Sequence, residues 1–177
     1  MQRKTILYIA MSLDGFIAKP DGDISFLSIA EKEGEDYGYA DFLKTVDTII
    51  VGRKSYEKVL SMGFAYPHTD KKVFIITRTA RPSIGSFMFY TDNLQELVLR
   101  LKNEQGKAIY IDGGAEIVQQ LLLENLIDEF CITIIPIMLG EGNSLFKNGR
   151  PERALELISV KQFDKSIVQM HYKKSSI

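Results

Sequence analysis

The sequence lacks most of the features that would mark a disulfide-bonded, metal-binding or membrane protein. Its 177 residues include no tryptophan, one cysteine and two histidines. A single cysteine, Cys131, excludes an intrachain disulfide, and two histidines far apart in the chain give no spacing typical of a metal site. No stretch approaches the roughly 20 apolar residues that a membrane helix needs. These absences predict a cytoplasmic protein with no bound metal and no membrane partner.

Charge and glycine patterns exclude further classes of protein. The net charge of −1 provides no basic footprint for nucleic acid, so no nucleic-acid partner is expected. Gly-x-Ser-x-Gly, the turn that exposes a serine nucleophile, does not occur, and neither does the Gly-x-Gly-x-x-Gly fingerprint of ordinary Rossmann folds. The sequence therefore predicts neither a serine hydrolase of that type nor a standard dinucleotide-binding fold.

Apolar runs alternate with amphipathic patterns along the chain, and no linker or repeat divides it, which indicates one domain over residues 1–177. Because strands separated by helices imply crossovers, the fold class is α/β, with a mainly parallel central sheet flanked by helices. The last two strands join through Asp164-Lys165 and predict an antiparallel hairpin. Asp92 is the predicted cap of the third helix. The predicted strands cover residues 5–11, 47–51, 71–77, 87–90, 108–112, 128–138, 154–163 and 166–174, and the predicted helices cover 34–46, 53–61, 92–106 and 115–126.

The stretch IVGRKSYEKV, residues 50–59, places two cations where a helix is expected to begin. The positive end of the helix dipole disfavours Arg53 and Lys54 there by about 0.3–1 kcal/mol each. A bound polyanion would turn this penalty into an attraction, because helix N-termini bind phosphate readily. Gly52 would let the backbone approach such a ligand, and Ser55 adds a hydroxyl. The alternative is that both cations simply extend into water.

A second crossing from strand to helix has a pair of glycines. Gly113 and Gly114 permit a turn with positive φ and leave backbone amides exposed, as a pyrophosphate requires. The alternative is a tight turn without a ligand, with Glu116 well placed in the first turn of the helix.

A third strand end carries a cluster of hydroxyl and guanidinium groups. Thr77, Arg78, Thr79 and Arg81 follow an apolar run, and they suit one more phosphate, although a solvated turn has the same composition. In α/β sheets, ligands bind at the carboxyl ends of the strands. Three such ends together predict a dinucleotide with an additional phosphate, as in NADPH.

One carboxylate falls on the apolar side of the predicted helix over residues 34–46. At about 100° per residue, Asp36 lies on the face of Tyr39 and Leu43, whereas Asp41 points to the opposite side. An inward carboxylate is costly unless it is paired or lines a cleft, where it could move a proton or hold a polar heterocycle. The alternative is that Asp36 caps the start of the helix.

Four motifs in register resemble the dihydrofolate reductase-like family, and within it the reductase domain of bifunctional riboflavin-biosynthesis (deaminase-reductase) proteins. The segment YIAMSLDGFIA is similar to the first strand and loop of that family, and VGRKSYE resembles its G-R-x-T-[YFW]-E motif. IDGGAEIVQQLL resembles the helix after the glycine pair, and PIMLGEGNSLF resembles the P-x-x-L-G-x-G-x-x-L-F segment of the riboflavin branch. The match covers nearly the whole chain. It implies an NADPH-dependent reductase that delivers hydride to a C=N or C=O bond of a heterocycle or of its ribityl or ribosyl part.

The resemblance also implies roles for single residues. Asp36 lies sixteen residues before Gly52, the spacing at which dihydrofolate reductases carry their substrate-binding acid, so it would be the catalytic or substrate-binding carboxylate. The implied cofactor-binding residues are Ala10, Ile17, Gly52, Arg53, Lys54, Ser55, Thr77, Arg78, Gly113, Gly114, Ala115 and Glu116. The implied substrate-binding residues are Tyr8, Ser12, Asp14, Asp36 and Asp112.

The sequence departs from both branches of the family at the substrate half. Folate reductases carry a Pro-Trp pair after the first loop, which GDISFL lacks. Riboflavin-type reductases commonly carry a lysine where this chain has Tyr8, and a glutamate where it has Asp112. Three functions therefore stay open. The first is a 5-amino-6-(5-phosphoribosylamino)uracil reductase-like activity, the second is dihydrofolate or pterin reduction, and the third is a nucleotide-binding module without catalysis.

Two further expectations concern the partner and the histidines. By resemblance to its relatives, the chain is expected to form a homodimer through its C-terminal strands. His68 lies in the polar stretch YPHTDKK and is expected to be solvated, and His171 is expected to be structural. Asp14-Gly15 is typical of a turn.

Overall fold

We analysed a computed structural model that describes residues 2–175. Within this part of the chain, ten strands and four α-helices alternate much as the sequence predicts. In chain order they are β1 (Thr5–Ser12), β2 (Phe16–Ala18), α1 (Tyr39–Lys44), β3 (Val46–Gly52), α2 (Arg53–Ser61), β4 (Lys72–Ile76), β5 (Phe87–Tyr90), α3 (Leu94–Asn103), β6 (Ala108–Gly113), α4 (Ala115–Leu123), β7 (Glu129–Ile135), β8 (Asn143–Ser144), β9 (Leu155–Gln162) and β10 (Val168–Lys174). Short 3₁₀ helices cover Ser25–Ala30 and Asp164–Ser166.

Eight of the strands form one sheet in the order β5-β4-β3-β6-β1-β7-β10-β9. The six strands from β5 to β7 are mutually parallel, and β10 pairs antiparallel with both β7 and β9. This confirms the α/β fold with a mainly parallel sheet and a C-terminal antiparallel hairpin. A separate pair, β2 with β8, joins the first loop to the segment after β7, and the sequence patterns do not predict it.

Helices cover both faces of the sheet. On one face, α3 and α4 pack on a core that includes Leu7, Ile50 and Ile111. On the other face, α1 and α2 pack on a second core that includes Val51 and Tyr110. Side chains alternate between the faces along a strand, so Tyr110 and Asp112 of β6 point toward the same side as α1 and α2. No helix of residues 2–175 has the length and apolar character that a bilayer crossing would require.

The helix α3 forms where its apolar stripe predicts, but its cap is one residue later. Leu94, Leu97 and Leu101 are at most 5% exposed, because the i, i+3, i+7 spacing turns them toward the sheet. The side chain of Asn93, not that of Asp92, accepts a hydrogen bond from the backbone N–H of Glu96. The predicted cap at Asp92 is therefore wrong by one position.

The first helix is much shorter than predicted. Tyr37 and Gly38 both have positive φ, 57° and 81°, and this left-handed pair prevents a helix from running through residues 34–38. The helix α1 therefore begins at Tyr39 and ends at Lys44, so that only the last part of the predicted span is helical. Asp36 lies before the helix rather than on its apolar face.

The C-terminal hairpin agrees with the sequence. The strand β7 ends at Ile135, immediately before Pro136, which has no N–H for the next ladder bond. The strands β9 and β10 follow with the predicted connection at Asp164-Lys165, which forms the start of a 3₁₀ turn. As a result β9 is one edge of the large sheet. The carboxyl ends of β1, β3, β4 and β6 border a single cleft.

Candidate functional site

A cleft of about 1510 Å³ lies at the carboxyl ends of the parallel strands. Its volume exceeds the roughly 300–1,000 Å³ of an ordinary small-molecule pocket, so a dinucleotide and a second small molecule have room. The structure brings eleven of the twelve predicted cofactor residues to this cleft, and Gly113 is the exception. The eleven are Ala10, Ile17, Gly52, Arg53, Lys54, Ser55, Thr77, Arg78, Gly114, Ala115 and Glu116. Their roles stay predictions.

The first turns of two helices lie side by side at the cleft. The strands β3 and β6 are neighbours, so the helices that follow them, α2 and α4, begin side by side at Gly52 and Gly114. Neither helix start receives a side-chain cap, so the first backbone N–H groups stay available to a ligand. Two such starts make a site suited to the paired phosphates of a dinucleotide.

Close packing at these two glycines leaves no room for a side chain. A Cβ atom on Gly52 would lie 3.3 Å from Cγ1 of Ile117 and 3.4 Å from the backbone N of Gly114. A Cβ atom on Gly114 would lie 3.1 Å from Oγ of Ser55. Gly113 has φ +105°, which favours glycine, and the Gly113–Gly114 peptide bond is cis. Glycine at these positions is therefore what allows the two helix starts to approach each other.

The cations at the start of α2 lie close to a carboxylate. Nη1 of Arg53 lies 2.7 Å from Oε2 of Glu57 one turn later, and Nη2 of Arg81 lies 3.3 Å from Oε1 of the same residue. Glu57 also lines the cleft, as does Lys54. The carboxylate thus offsets the charge of Arg53, which the helix dipole would otherwise disfavour at this position.

The third predicted strand end forms a compact turn. Thr77 is 8% exposed, and its hydroxyl accepts a hydrogen bond of 3.1 Å from the backbone N–H of Thr79. Thr77 therefore shapes the turn, while the exposed side chain of Arg78 is the cationic group that the turn presents to the cleft.

The end of the cleft beside β1 has several apolar residues. Ile9, Ala10, Ile17 and Leu27 line it, together with Asp112 at the end of β6. Such a surface suits a flat ring with one polar contact point, which is the usual composition of a small-molecule site.

Two tyrosines hold the Asp112 carboxylate in place. The hydroxyl of Tyr110 donates to Oδ1 at 2.6 Å, and the hydroxyl of Tyr66 donates to Oδ2. Both phenol rings are buried, with only 3% of their surface exposed. Burial and then the nearby Asp112 charge raise the pKa of each phenol well above its usual value, so both stay protonated and act as donors. Sequence reasoning missed Tyr66 because it lies 46 positions from Asp112 in the chain.

Ser12 and Asp14 do not line the cleft, and their implied substrate-binding role stays a prediction. Ser12 is fully buried; its hydroxyl donates to Oδ1 of Asp14 and accepts from the backbone N–H of Phe16. Asp14 also accepts hydrogen bonds from the backbone N–H groups of Leu139 and Gly140. The Ser12 hydroxyl, followed by these backbone groups, holds the pKa of Asp14 below its usual value. Both residues therefore join the first loop to the segment after β7.

Tyr8 also lies outside the cleft lining. Its hydroxyl donates to the backbone carbonyl of Tyr37 at 3.0 Å and accepts from Nε2 of Gln169 at 2.9 Å, and its ring stacks on Phe42 at 4.4 Å. Burial raises the pKa of Tyr8 to about 12, so the phenol stays neutral. The expectation that Tyr8 contacts substrate in place of a lysine is not supported by this placement.

Asp36 is exposed and occupied by backbone groups, so the prediction of an inward-facing carboxylate is wrong. Its two carboxylate oxygens accept hydrogen bonds from the N–H groups of Ala40 and Gly38, each at 2.9 Å. These bonds, with that from Ala40 first, hold the pKa of Asp36 below its usual value. The structure agrees with the alternative interpretation, in which Asp36 supports the start of the first helix.

His68 is half-buried rather than solvated. Its Nε2 atom lies 3.0 Å from the hydroxyl of Tyr39, and its ring packs edge-on against Tyr66 at 5.9 Å. His171 contacts Glu129 at 3.0 Å on the far part of the sheet, where it links β10 to β7. In the part of the chain that the structure describes, no group of three His, Cys, Asp or Glu side chains could hold a metal ion.

Comparison with known proteins identifies close relatives. The sequence model of the RibD C-terminal domain family matches residues 3–169. The uncharacterized protein YwjB of Bacillus subtilis (strain 168) is 45% identical over 173 residues, which cover 97% of this chain and 98% of that protein. The crystal structure of a protein from Shewanella sp. PV-4, provisionally assigned to riboflavin biosynthesis, is 30% identical, covers 99% of both chains and has a TM-score of 0.87.

More distant structures share the fold. The diaminohydroxyphosphoribosylaminopyrimidine deaminase/5-amino-6-(5-phosphoribosylamino)uracil reductase of Thermotoga maritima is 14% identical, with a TM-score of 0.73, over 98% of this chain and 57% of that one. The dihydrofolate reductase of Enterococcus faecalis, complexed with NADP(H), is 17% identical over 99% of both chains, with a TM-score of 0.68. At these identities the likeness shows the fold alone.

Proposed function

The chain belongs to the RibD C-terminal domain family, and from this premise we propose that it is an NADPH-dependent reductase of the riboflavin-biosynthesis type. Its fold is that of the dihydrofolate reductase-like proteins. The proposed reaction is hydride transfer to a C=N or C=O bond of a heterocyclic or ribosylamino substrate. The observation that carries this proposal is the convergence of two uncapped helix starts, with Arg53 and Arg78, on one large cleft.

The residues present fit a phosphorylated dinucleotide. The first N–H groups of α2 and α4 would hold the pyrophosphate, and Gly52 and Gly114 permit the close approach that this needs. Arg78 would hold the phosphate on the adenosine ribose. Ala10 and Ile17 would flank the nicotinamide ring and exclude water from it. When bound, NADPH supplies the hydride.

Asp112 is the polar group that this chain offers to a substrate. Its carboxylate lies at the apolar end of the cleft with its orientation held by Tyr66 and Tyr110. A carboxylate in such a position accepts hydrogen bonds from amino or ring N–H groups of a heterocycle. The riboflavin-type reading is favoured over folate reduction, because Asp36, the acid that folate reduction would use, is exposed outside the cleft and bound to backbone N–H groups.

Binding and turnover measurements test the proposal in two steps. Titration with NADPH should quench the protein fluorescence with a dissociation constant in the micromolar range, and NADH should bind more weakly. Oxidation of NADPH is then followed with 5-amino-6-(5-phosphoribosylamino)uracil and separately with dihydrofolate. Turnover of the first supports the proposal, whereas turnover of dihydrofolate alone would favour a folate reductase. Binding with no turnover on a panel of heterocycles would favour a nucleotide-binding module, and failure to bind either cofactor would reject the reductase.

We further propose that the protein is a homodimer that pairs through β9. This edge strand exposes Leu155, Leu157, Ile158 and Val160, a row that an unpaired edge normally avoids. The pairing of β9 with β10 is irregular at Ile158, and the four exposed side chains would meet those of the second copy as one apolar patch.

We also propose that the protein acts in the cytoplasm. Cys131 is a buried free thiol, and burial raises its pKa to about 11, so it is neutral and unreactive. Localisation of a tagged copy of the full chain by fractionation would test this placement.

A further inference from the structure

One part of the cleft wall belongs to the short strand β2, which lies outside the large sheet. Ile17 and Ala18 of this strand line the cleft, and Ile17 packs against the core under α3 and α4. The only strand that pairs with β2 among residues 2–175 is β8, which has two residues. A pair of short strands is at best marginally stable in water, so this part of the wall needs further contacts to keep its position.

The carboxylate of Asp14 supplies such contacts from the loop before β2. The hydroxyl of the fully buried Ser12 donates to Oδ1 at 2.5 Å, which fixes the carboxylate within the loop. The backbone N–H of Leu139 donates to Oδ1 at 3.1 Å, and that of Gly140 donates to Oδ2 at 2.7 Å. We call these four residues the Asp14 cluster. Hydrogen bonds to a carboxylate are roughly twice as strong as neutral ones, so the cluster joins the loop firmly to the segment after β7.

Backbone hydrogen bonds continue from the cluster toward the cleft. The N–H of Leu13 donates to the carbonyl of Ile137 at 2.8 Å, and the N–H of Leu145 donates to the carbonyl of Gly15 at 2.9 Å. Leu145 is fully buried in the core under α3 and α4, which anchors the segment after β7. This segment is therefore the support, and the loop with β2 is what it holds.

The support and the wall fit closely where they meet. A Cβ atom on Gly142 would lie 2.3 Å from the carbonyl oxygen of Ala18, which is a backbone atom of β2. Both residues line the cleft. A side chain at residue 142 must therefore displace β2, and the cleft wall moves with it.

We propose that Asp14 is a positioning residue for the nicotinamide half of the cofactor, because the Asp14 cluster holds β2, and with it Ile17, against the cleft. The placement of nicotinamide beside Ile17 rests on the proposed function, whereas the hold of Asp14 on the loop does not. Asp14 lies outside the cleft lining, so it acts on the cofactor through the position of the wall. The adenosine half, which the proposed function assigns to Arg78, should not depend on Asp14.

Hydrogen exchange of the ligand-free protein tests the hold on the loop. Asp14→Asn keeps the size of the side chain, but in either orientation its NH₂ group faces a backbone N–H that now donates to the carboxylate. We expect faster exchange in residues 13–18 and in residues 137–145, and unchanged exchange in α3.

Asp23→Asn is the matched control for this experiment. The Asp23 carboxylate also follows the first strand and accepts a hydrogen bond from a backbone N–H, but from that of Ser25 and not from the segment after β7. Asp23→Asn should therefore leave the exchange of residues 137–145 unchanged. Faster exchange confined to residues 137–145 in Asp14→Asn would overturn the proposal, because β2 would then keep its position without Asp14.

Calorimetric titration with two ligands tests the effect on the cofactor. NADPH has both halves, whereas adenosine 2′,5′-bisphosphate has the adenosine half and no nicotinamide. Asp14→Asn should weaken the binding of NADPH about tenfold and change that of the bisphosphate by less than about twofold. Gly142→Ala displaces the same wall from the other side and should give the same pattern, whereas Asp23→Asn should change neither affinity.

The difference between the two ligands separates positioning from a general loss of stability. If Asp14→Asn weakens both ligands equally, or neither of them, the proposal is wrong, because a destabilised fold does not distinguish the two halves of the cofactor. A wild-type protein that binds neither NADPH nor the bisphosphate would instead refute the proposed function, and the exchange experiment would still decide whether Asp14 holds the loop.

Discussion

The hydroxyl of Ser55 lies 3.1 Å from the position that the Cβ atom of an alanine at residue 114 would occupy. This distance joins the starts of α2 and α4, which follow neighbouring strands of the sheet. It is tighter than an ordinary van der Waals contact, so a side chain at Gly114 must displace the Ser55 hydroxyl. That hydroxyl would then leave its position beside the start of α4.

The substitution Gly114→Ala is therefore expected to weaken NADPH binding by about tenfold, or ~1.4 kcal/mol. Fluorescence titration measures the affinity, and circular dichroism confirms that the fold persists. The double variant Ser55→Ala/Gly114→Ala removes the crowding atom, so it should bind NADPH better than the sum of the two single changes predicts. If the effects of the two single substitutions on NADPH affinity simply add in the double variant, the contact between Ser55 and residue 114 does not control NADPH binding.

The charge of Glu57 should oppose cofactor binding. Its carboxylate contacts Arg53 and Arg81 and lines the cleft, so Glu57→Gln leaves two guanidinium groups free for phosphate. We expect NADPH to bind about two- to fivefold more tightly, and the gain should shrink as salt is added. Replacement of Arg53 and Lys54 by alanine should weaken NADPH binding, again more strongly at low salt.

A cation elsewhere on the surface serves as the control for these charge changes. Lys44 pairs with Asp41 at the end of α1, and Lys44→Ala should leave NADPH affinity unchanged. An equal effect of Lys44→Ala and of the double alanine variant would show that only net charge matters, and it would remove the start of α2 from the proposed site.

Arg78 should decide between the two nicotinamide cofactors. It is the exposed cation of the turn that Thr77 organises, and a guanidinium group binds a phosphate monoester well. Arg78→Ala should weaken NADPH binding about tenfold and leave NADH binding unaltered. Arg100→Ala on α3 is the control. If NADPH and NADH lose affinity equally, Arg78 contacts some other part of the cofactor.

Asp36 should contribute to stability and not to turnover. Its folded-state pKa is lowered by the N–H groups of Ala40 and Gly38, so its stabilising effect is present above the ordinary pKa of about 3.9 and is lost as pH falls through the folded value. Asp36→Ala should lower the melting temperature at pH 7, and the difference from the wild type should narrow below about pH 4. Thermal unfolding followed by circular dichroism at several pH values measures this. A large loss of turnover with an unchanged melting temperature would restore Asp36 as the catalytic acid.

The oligomeric state should depend on the edge strand. Val160→Glu places a charge in the proposed pairing of two β9 strands, so it should convert a dimer to a monomer. Size-exclusion chromatography with light scattering gives the mass. Leu99→Glu, at an exposed leucine on α3, is the control and should leave the dimer intact. A wild-type protein that is monomeric at all concentrations would disprove the pairing.

Local sequence patterns were enough to predict the order of the strands and helices. They also predicted which strand ends border the cleft. Alternating apolar runs and helical stripes report burial directly, so α3, β1 and the strands from β3 to β7 lie close to their predicted positions. The crossings at Gly52 and Gly114 were also predictable, since each depends on residues adjacent in the chain. The family resemblance agrees with both.

Long-range packing decided the arrangement of side chains around Asp112, at the end of the cleft beside β1. The partners of Asp112 are Tyr110, two positions away, and Tyr66, 46 positions away, and no sequence period connects such residues. Because Gly38 is left-handed, the helix begins only at Tyr39, and Asp36 lies before it in solvent. A helical wheel cannot predict that outcome, because it presupposes that all the residues it plots are helical.

The sequence by itself thus determined the class of fold and the two glycine crossings from strand to helix, because both follow from the periodicity of burial and from residues adjacent in the chain. Only the tertiary structure decided which of the predicted carboxylates borders the cleft. Asp14, Asp36 and Asp112 are equal candidates by residue type. In the fold, however, the carboxylates of Asp14 and Asp36 accept hydrogen bonds from backbone N–H groups. The fold places Asp112 in the cleft between two buried hydroxyls, because the direction of a side chain depends on the strands and helices packed around it.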